Sequence, residues 1–140
     1  MELLKLVALD EEDLTILSSH AQDAVMKVGD LRYDPKTARF IMPLYRYVWE
    51  GRSRTPERRN SVLDFGRVTA VRSSGVPKEK PQEVLSLLAI RFEAGDAPSG
   101  TIELVFSADA TIRLEAECIE ARLADLGGAW QASSRPQHKI

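Results

Sequence analysis

The sequence has very little of the residues that build disulfides and metal centres. Its 140 residues include one cysteine, Cys118, and two histidines, His20 and His138, at distant positions in the chain. One cysteine excludes a disulfide within the chain. A structural zinc site takes four ligands that are mostly cysteine and histidine, and these three residues do not supply them. We therefore predict no metal and no cofactor.

The short motifs that mark common catalytic sites are also absent. The sequence contains no glycine-rich phosphate loop, no Gly-x-Ser-x-Gly elbow and no dinucleotide-binding fingerprint. Acidic pairs such as Glu115 and Glu117 alternate with apolar residues, which is typical of the solvated side of a strand. No catalytic residue is predicted, and an enzyme is the less favoured class of protein.

Long apolar runs are missing as well. None approaches the roughly 18 residues that a membrane span needs. The N-terminus has a charge directly after Met1 and no small-residue cleavage site, so it does not resemble a signal peptide. We predict a cytoplasmic protein without membrane contact: one domain over residues 1–128, followed by a polar C-terminal tail over residues 129–140.

What the sequence does contain is alternation of apolar and polar residues, most clearly in its last third. Ile102, Leu104 and Phe106 recur at every second position, and the same spacing returns at Ile112 and Leu114. This period predicts two antiparallel strands joined as a hairpin, with one side buried.

A different spacing follows that hairpin. From Cys118 onward, Ile119, Leu123 and Leu126 lie four and three positions apart, which favours an amphipathic helix. Gly127 and Gly128 would end it. This C-terminal helix is expected to cover the apolar side of the hairpin.

The N-terminal region predicts a strand and then a helix. Residues 3–9 form a short apolar run. Asp10 is a good N-cap, and the acidic residues 11–13 complement the helix dipole, so we expect a helix to about residue 22 or 24 with Leu14 and Leu17 on its apolar side.

Four further strands are predicted, over residues 25–33, 39–50, 61–72 and 84–93. The second is apolar on both sides: Phe40, Met42, Leu44 and Val48 face one way, and Ile41, Pro43, Tyr45, Tyr47 and Trp49 face the other. Such a strand is either buried on both sides by other elements or has an aromatic side that binds a partner. Because Pro43 lacks an N–H group, we place the strand at an edge or at a bulge.

The predicted fold class is therefore α+β. We expect a strongly bent antiparallel sheet or small barrel of about six to seven strands, with one helix after the first strand and a C-terminal capping helix. By element order this resembles a pleckstrin-homology-like barrel. A helix over an open antiparallel sheet is the alternative.

Charge is distributed unevenly along the chain, and the basic part indicates a candidate binding surface. Residues 32–80 contain twelve lysines and arginines against five acidic residues, although the net charge of the chain is −2. A loop rich in arginine, residues 51–61, follows the aromatic strand. Arginine and aromatic side chains together bind anionic groups, so the candidate binding residues are Tyr45, Tyr47, Trp49, Arg52, Arg54, Arg58 and Arg59.

The preferred hypothesis is a non-enzymatic interaction domain that contacts a protein or another anionic partner through this surface. A nucleic acid is less favoured, because domains built for it are usually basic throughout. The competing hypothesis is a small-ligand binder or an unrecognised enzyme, with a pocket between the aromatic strand and the C-terminal helix. A third interpretation is that the loop is charged only for solubility and the aromatic residues pack inside. The sequence does not indicate the oligomeric state.

Three segments also suggest a family. Residues 4–14, 39–50 and 112–127 resemble an uncharacterised bacterial family, the domain of unknown function 2948. The resemblance extends over nearly the whole chain. It implies a cytoplasmic bacterial protein and carries over no activity and no catalytic residue.

Overall fold

A computed structural model describes residues 3–50 and 57–126. Within these residues the chain forms ten strands and one α-helix. In chain order they are β1 (Lys5–Ala8), α1 (Glu11–Ala21), β2 (Val25–Lys27), β3 (Arg32–Asp34), β4 (Arg39–Tyr47), β5 (Arg58–Phe65), β6 (Val68–Ser74), β7 (Val84–Ala94), β8 (Gly100–Phe106), β9 (Thr111–Ala116) and β10 (Ala121–Asp125).

All ten strands belong to one antiparallel sheet. Its order is β1-β10-β5-β4-β2-β7-β8-β9-β6, and β3 pairs with β4 beside β2. We call β1, β10, β5, β4, β2 and β3 the first half of the sheet, and β7, β8, β9 and β6 the second half. The sheet does not close on itself, so the predicted barrel, the pleckstrin-homology-like resemblance and the strand number were wrong.

The predicted C-terminal helix is also wrong, because residues 121–125 form the strand β10. Ala121, Leu123 and Asp125 are buried and Arg122 is exposed, which is the period of a strand. β10 lies between β1 and β5, with Leu123 opposite Leu6 on one side and Leu63 on the other. The backbone of β10 therefore forms hydrogen bonds with both neighbouring strands. A helix here would leave β1 and β5 with unpaired backbone groups along one edge. Gly127 and Gly128 lie outside the described residues.

The N-terminal strand, the helix and the last hairpin were predicted correctly. Asp10 caps α1, and its Oδ1 accepts a hydrogen bond of 2.8 Å from the Asp13 N–H. β8 and β9 pair antiparallel, with Ile102 opposite Leu114 and Leu104 opposite Ile112. These elements depend on short-range signals, which explains why the sequence was sufficient.

Pro43 does not lie at an edge, because β4 has neighbours on both sides. On one side β5 runs the full length of β4. On the other side the predicted strand 25–33 is split into β2 and β3 by a single 3₁₀ turn over Val28–Asp30. Val25 pairs with Tyr45 and Arg32 with Ile41, so Pro43 lies opposite the interruption. The missing N–H of proline thus coincides with a gap in the ladder.

Two other strand predictions need correction. The predicted strand over residues 61–72 is two strands, and the chain turns at Gly66 and Arg67 from β5 into β6. Simple alternation also fails along the predicted strand 84–93, because the register of β7 shifts between Leu87 and Ala89. Leu85 and Leu87 are buried before the shift and Ile90 after it, and Leu88 is exposed. A bulge of this kind is invisible to a simple count of alternate residues.

The core is one apolar cluster to which α1 and the sheet both contribute. Leu14, Leu17 and Ala21 of the helix pack with buried residues of every strand except β3, and the half-buried Tyr33 of β3 packs against this cluster. The largest apolar side chains that are fully buried are Phe65, Phe106, Leu14, Leu17, Met42, Leu44, Leu63, Leu87, Ile102, Leu104 and Leu114. Among residues 3–50 and 57–126, no α-helix covers the other side of the first half.

Candidate interaction surface

The aromatic side of β4 faces outward. Phe40, Met42 and Leu44 are in the core, whereas Tyr45 and Trp49 expose 45% and 46% of their surface. The strand is therefore not buried on both sides by described residues. The interpretation that these aromatic residues pack inside is wrong for both of them.

Strand register identifies which residues share this side with Tyr45. Pro43 lies opposite Val62, Tyr45 opposite Asn60 and Tyr47 opposite Arg58. Side chains directly opposite each other lie on the same side of a sheet. We call this side of β1, β10, β5, β4, β2 and β3 the outer face.

Three of the candidate residues are held together at the end of β4. The Trp49 indole donates a hydrogen bond of 2.9 Å to the carbonyl of Gln22, and Arg58 donates one of 2.9 Å to the carbonyl of Asp23. The rings of Tyr47 and Trp49 meet edge to face at 4.6 Å, and the Arg58 guanidinium lies 5.9 Å from the Tyr47 ring centre. These contacts attach the end of β4 to the turn after α1, so the aromatic groups are fixed in place.

A shallow groove adjoins Tyr45. It has a volume of about 200 Å³ and lies beside the interruption between β2 and β3. It is lined by Val25, Met26, Lys27, Asp30, Pro43, Leu44, Tyr45, Asn60 and Val84. The groove continues the outer face toward β7.

Arg59, another of the candidate arginines, does not join this surface. Arg59 is 6% exposed, and its Nη1 lies 3.2 Å from Asp125 Oδ2 in the interior. Residues 58–61 belong to β5, so that part of the predicted loop is strand. Arg52 and Arg54 lie outside the described residues. The structure thus brings together Tyr45, Tyr47, Trp49 and Arg58.

Sequence reasoning missed a buried ion network on the inner side of the same two strands. Arg46 is 0% exposed, and it donates hydrogen bonds of 2.7 and 3.0 Å to the two carboxylate oxygens of Asp125. Two further bonds, of 3.0 and 2.5 Å, join Arg46 to Glu50. A guanidinium that pairs with two carboxylates in this way is strongly oriented.

Asp125 is the centre of this network. Besides Arg46, its carboxylate accepts hydrogen bonds from the Ser61 hydroxyl at 2.7 Å, the Leu4 N–H at 2.9 Å and Arg59 at 3.2 Å. It therefore links β10 to β4, β5 and the segment before β1. The network comprises Arg46, Glu50, Arg59, Ser61 and Asp125.

The network shifts the pKa values of its members. Burial disfavours the charged form of Arg46, but hydrogen bonds to Asp125 and Glu50 outweigh this and raise its pKa above the ordinary value. Burial likewise opposes ionisation of Asp125, yet the bonds from Arg46, Leu4 and Ser61 hold its pKa below the usual range. The hydrogen bond from Arg46 lowers the pKa of Glu50 from 4.5 to about 2.

These shifts predict a dependence of stability on pH. Both carboxylates have a lower pKa in the folded state, so the folded state binds fewer protons in acid and its stability rises with pH there. The contribution of Glu50 should be complete above pH 4.5 and disappear as the pH falls to about 2. Urea unfolding across this range measures the effect. The Glu50→Gln variant should lose less stability between these two pH values than the unmodified protein, and equal losses would contradict the assignment.

The signal for the network was partly present in the sequence. Arg46 occupies the same side of β4 as Phe40, Met42 and Leu44, so alternation alone places a charged residue in the core. A buried arginine requires a buried partner. The partner could not be found, because Asp125 lies in the segment that was predicted as the C-terminal helix and is the strand β10.

Residues 3–50 and 57–126 contain no group of three or more histidine, cysteine, aspartate or glutamate side chains placed to hold a metal ion. In the same ranges, no helix has the length and apolar character that a membrane crossing requires. His20 is close to the ion network, with its Nδ1 3.5 Å from Glu50 Oε1.

Fold and site together define a mostly antiparallel β protein with an exposed aromatic face and a buried ion network. The family model described as a protein of unknown function, DUF2948, matches residues 4–138, and the chain belongs to this family. The resemblance drawn from the three sequence segments is thereby confirmed. Comparison with curated proteins gave no match, and neither did comparison with solved structures.

Proposed function

We propose that this protein is a non-enzymatic interaction domain that contacts a protein partner through the outer face around Tyr45. The main support is the outward position of Tyr45, which is 45% exposed on β4, whose other side is in the core, and of Trp49, which is 46% exposed in the turn that follows β4. Tyrosine, tryptophan and arginine are the residues that most often dominate the energy of protein interfaces. Here Arg58 lies 5.9 Å from the centre of the Tyr47 ring and donates a hydrogen bond of 3.2 Å to the backbone carbonyl of Tyr45. The cytoplasmic location expected from the sequence belongs to the same proposal.

Covering the exposed part of Tyr45 would contribute enough binding free energy for its loss to be measured. A large aromatic side chain buries about 150–250 Å² when it is fully covered. At roughly 25 cal/mol per Å², covering the exposed part of Tyr45 would contribute about 2 kcal/mol. Because Tyr47, Trp49 and Arg58 are already held by local contacts, little conformational entropy is lost when they are covered.

A small-ligand site is the second candidate, and the groove beside Tyr45 is its location. The pocket expected between the aromatic strand and a C-terminal helix has no basis, since residues 121–125 are a strand. The groove measures about 200 Å³. Sites that enclose a small molecule usually measure about 300–1,000 Å³. Its size therefore favours contact with a side chain of a partner over an enclosed ligand.

A capture experiment tests the proposal. Tagged Tyr45→Ser and Ile16→Ser variants are compared with the unmodified protein in native lysate treated with nuclease. Ile16 is also about half exposed, but it lies on α1, away from the outer face. We expect a protein partner whose recovery falls at least about tenfold with Tyr45→Ser, as about 2 kcal/mol implies, and is unchanged with Ile16→Ser.

Two results would contradict the proposal. Equal recovery with both variants would remove Tyr45 from the interface, and capture that disappears after nuclease treatment would indicate a nucleic acid. Replacing all four candidate arginines is a poorer test, because Arg59 is buried in the ion network and its loss would also destabilise the fold.

A further inference from the structure

The outer face carries cations that have no acidic partner within it. Lys5, Lys27, Arg32, Arg58 and Arg122 are all exposed. None of the five forms an ion pair with another residue of the ranges 3–50 and 57–126. Asp64, which shares the face with Arg122, is already paired with Arg39. Asp34 lies opposite Arg39 on the same face, and Asp30 lines the groove. With Arg39 counted, six cations stand against three aspartates, so the face has an excess of three positive charges although the chain has a net charge of −2.

These cations surround an apolar centre. Strand register places Lys5, Ala124, Val62 and Pro43 in one row across β1, β10, β5 and β4. Lys27 of β2 lines the groove next to Pro43, so a lysine lies at each end of this row. With adjacent strands about 4.8 Å apart, the two lysines are separated by about 19 Å.

The other three cations lie on the two remaining sides of the apolar centre. Arg122 and Arg32 lie in the next row on one side, since they are opposite Val7 and Ile41 respectively. Arg58 lies on the other side, beyond Tyr45. We call the five cations the basic rim. An apolar centre inside a polar rim is the usual anatomy of a protein interface.

We propose that the partner of this face is an acidic protein segment that carries apolar side chains. Its apolar side chains would cover Val62, Pro43 and Tyr45, and its carboxylates would meet the basic rim. A nucleic acid would gain little from the aliphatic centre, because single strands use stacked aromatic rings along a basic track. This inference rests on the proposed function, since it assigns the chemistry of the partner that binds the same face.

The test uses peptides selected on the full chain. A random peptide library is panned on the protein at about 50 mM salt, and the affinity of the enriched peptides is measured by fluorescence anisotropy. The triple variant Lys5→Glu, Lys27→Glu, Arg122→Glu changes the basic rim. The matched control Lys78→Glu, Lys80→Glu, Arg91→Glu changes the same number of exposed charges outside the outer face.

We expect the enriched peptides to combine aspartate or glutamate with large apolar residues. Their affinity should fall at least about tenfold in the rim variant and less than about threefold in the control variant. Raising the salt to about 300 mM should weaken binding to the unmodified protein, since exposed charges are screened. All variants should unfold at the same urea concentration as the unmodified protein, because the replaced side chains are exposed.

Other results would overturn the inference, and they separate it from the proposed function. If Tyr45→Ser abolishes peptide binding and the rim variant does not, the face binds a partner that is not acidic. If neither change weakens binding, both proposals fail. A single-stranded DNA probe or vesicles of anionic lipid that bind more tightly than every peptide, and lose binding in the rim variant, would replace the acidic protein segment with that class of partner.

Discussion

The Asp125→Asn variant should lose about 3–5 kcal/mol of its free energy of unfolding. Removal of one member of a buried ion pair leaves the remaining charge uncompensated in the interior. Here the amide would leave the guanidiniums of Arg46 and Arg59 side by side, with Arg46 paired only to the partly exposed Glu50. Because a domain has only about 5–15 kcal/mol of net stability, this is a large fraction of the total.

Urea unfolding at pH 7 measures this loss. The control is Asp30→Asn, which makes the same chemical change at an exposed aspartate. We expect the control to change the stability by less than about 0.5 kcal/mol. A loss below about 1 kcal/mol in Asp125→Asn would contradict the position of Asp125 at the centre of the network.

Leu114→Asp should have a comparable or larger effect. Leu114 is 0% exposed and lies opposite Ile102 in β8 and Val71 in β6. The substitution would remove an apolar side chain from the core and bury a charge without a partner, at a cost of several kcal/mol, about 4 or more. We expect the variant to be insoluble or to unfold at far lower urea concentration.

Thr111→Asp provides the comparison on the same strand. Thr111 is half-buried on the outward side of β9, so the added charge remains in contact with water. Its cost should stay below about 1 kcal/mol. A cooperatively folded and soluble Leu114→Asp protein would contradict the assignment of this hairpin to the core.

Local signals explain which parts of the fold could be predicted. The cap at Asp10 and the hairpin of β8 and β9 both depend on residues close together in sequence. Each gives one clear period or one recognisable cap. Sequence reasoning therefore identified these elements.

The C-terminal strand could not be predicted by the same means. Ile119 and Leu123 fit a helix and a strand equally well, because four positions is close to one helical turn and is also an even number. The deciding factor is the presence of β1 and β5 on either side, and these strands are distant in sequence. The error then hid Asp125, and with it the partner of Arg46.

The candidate site was predictable in its aromatic part and not in its basic part. Alternation placed Tyr45 and Tyr47 on one side of β4, but it left open whether that side was covered. The candidate arginines that follow Tyr45 in the sequence were predicted as one group, because composition does not show which way each side chain faces. The pairing of β4 with β5 divides them, since Arg58 faces outward and Arg59 inward.

The basic rim could not be predicted from the order of residues along the chain. Its members come from β1, β2, β3, β5 and β10, and only the strand order brings them to one face. The excess of basic residues over 32–80 pointed toward a positive surface. It did not indicate Lys5 or Arg122, which lie in acidic parts of the sequence.

Site-specific photo-crosslinking in cells tests whether the outer face binds a protein partner. Benzoylphenylalanine is placed at Tyr45 in one strain and at Ile16 in another, so that two equally exposed positions report on the outer face and on α1. We expect a discrete protein adduct from Tyr45 after irradiation and none from Ile16. Adducts of the same protein from both positions, or an adduct from Ile16 alone, would contradict the assignment of the outer face as the interaction surface.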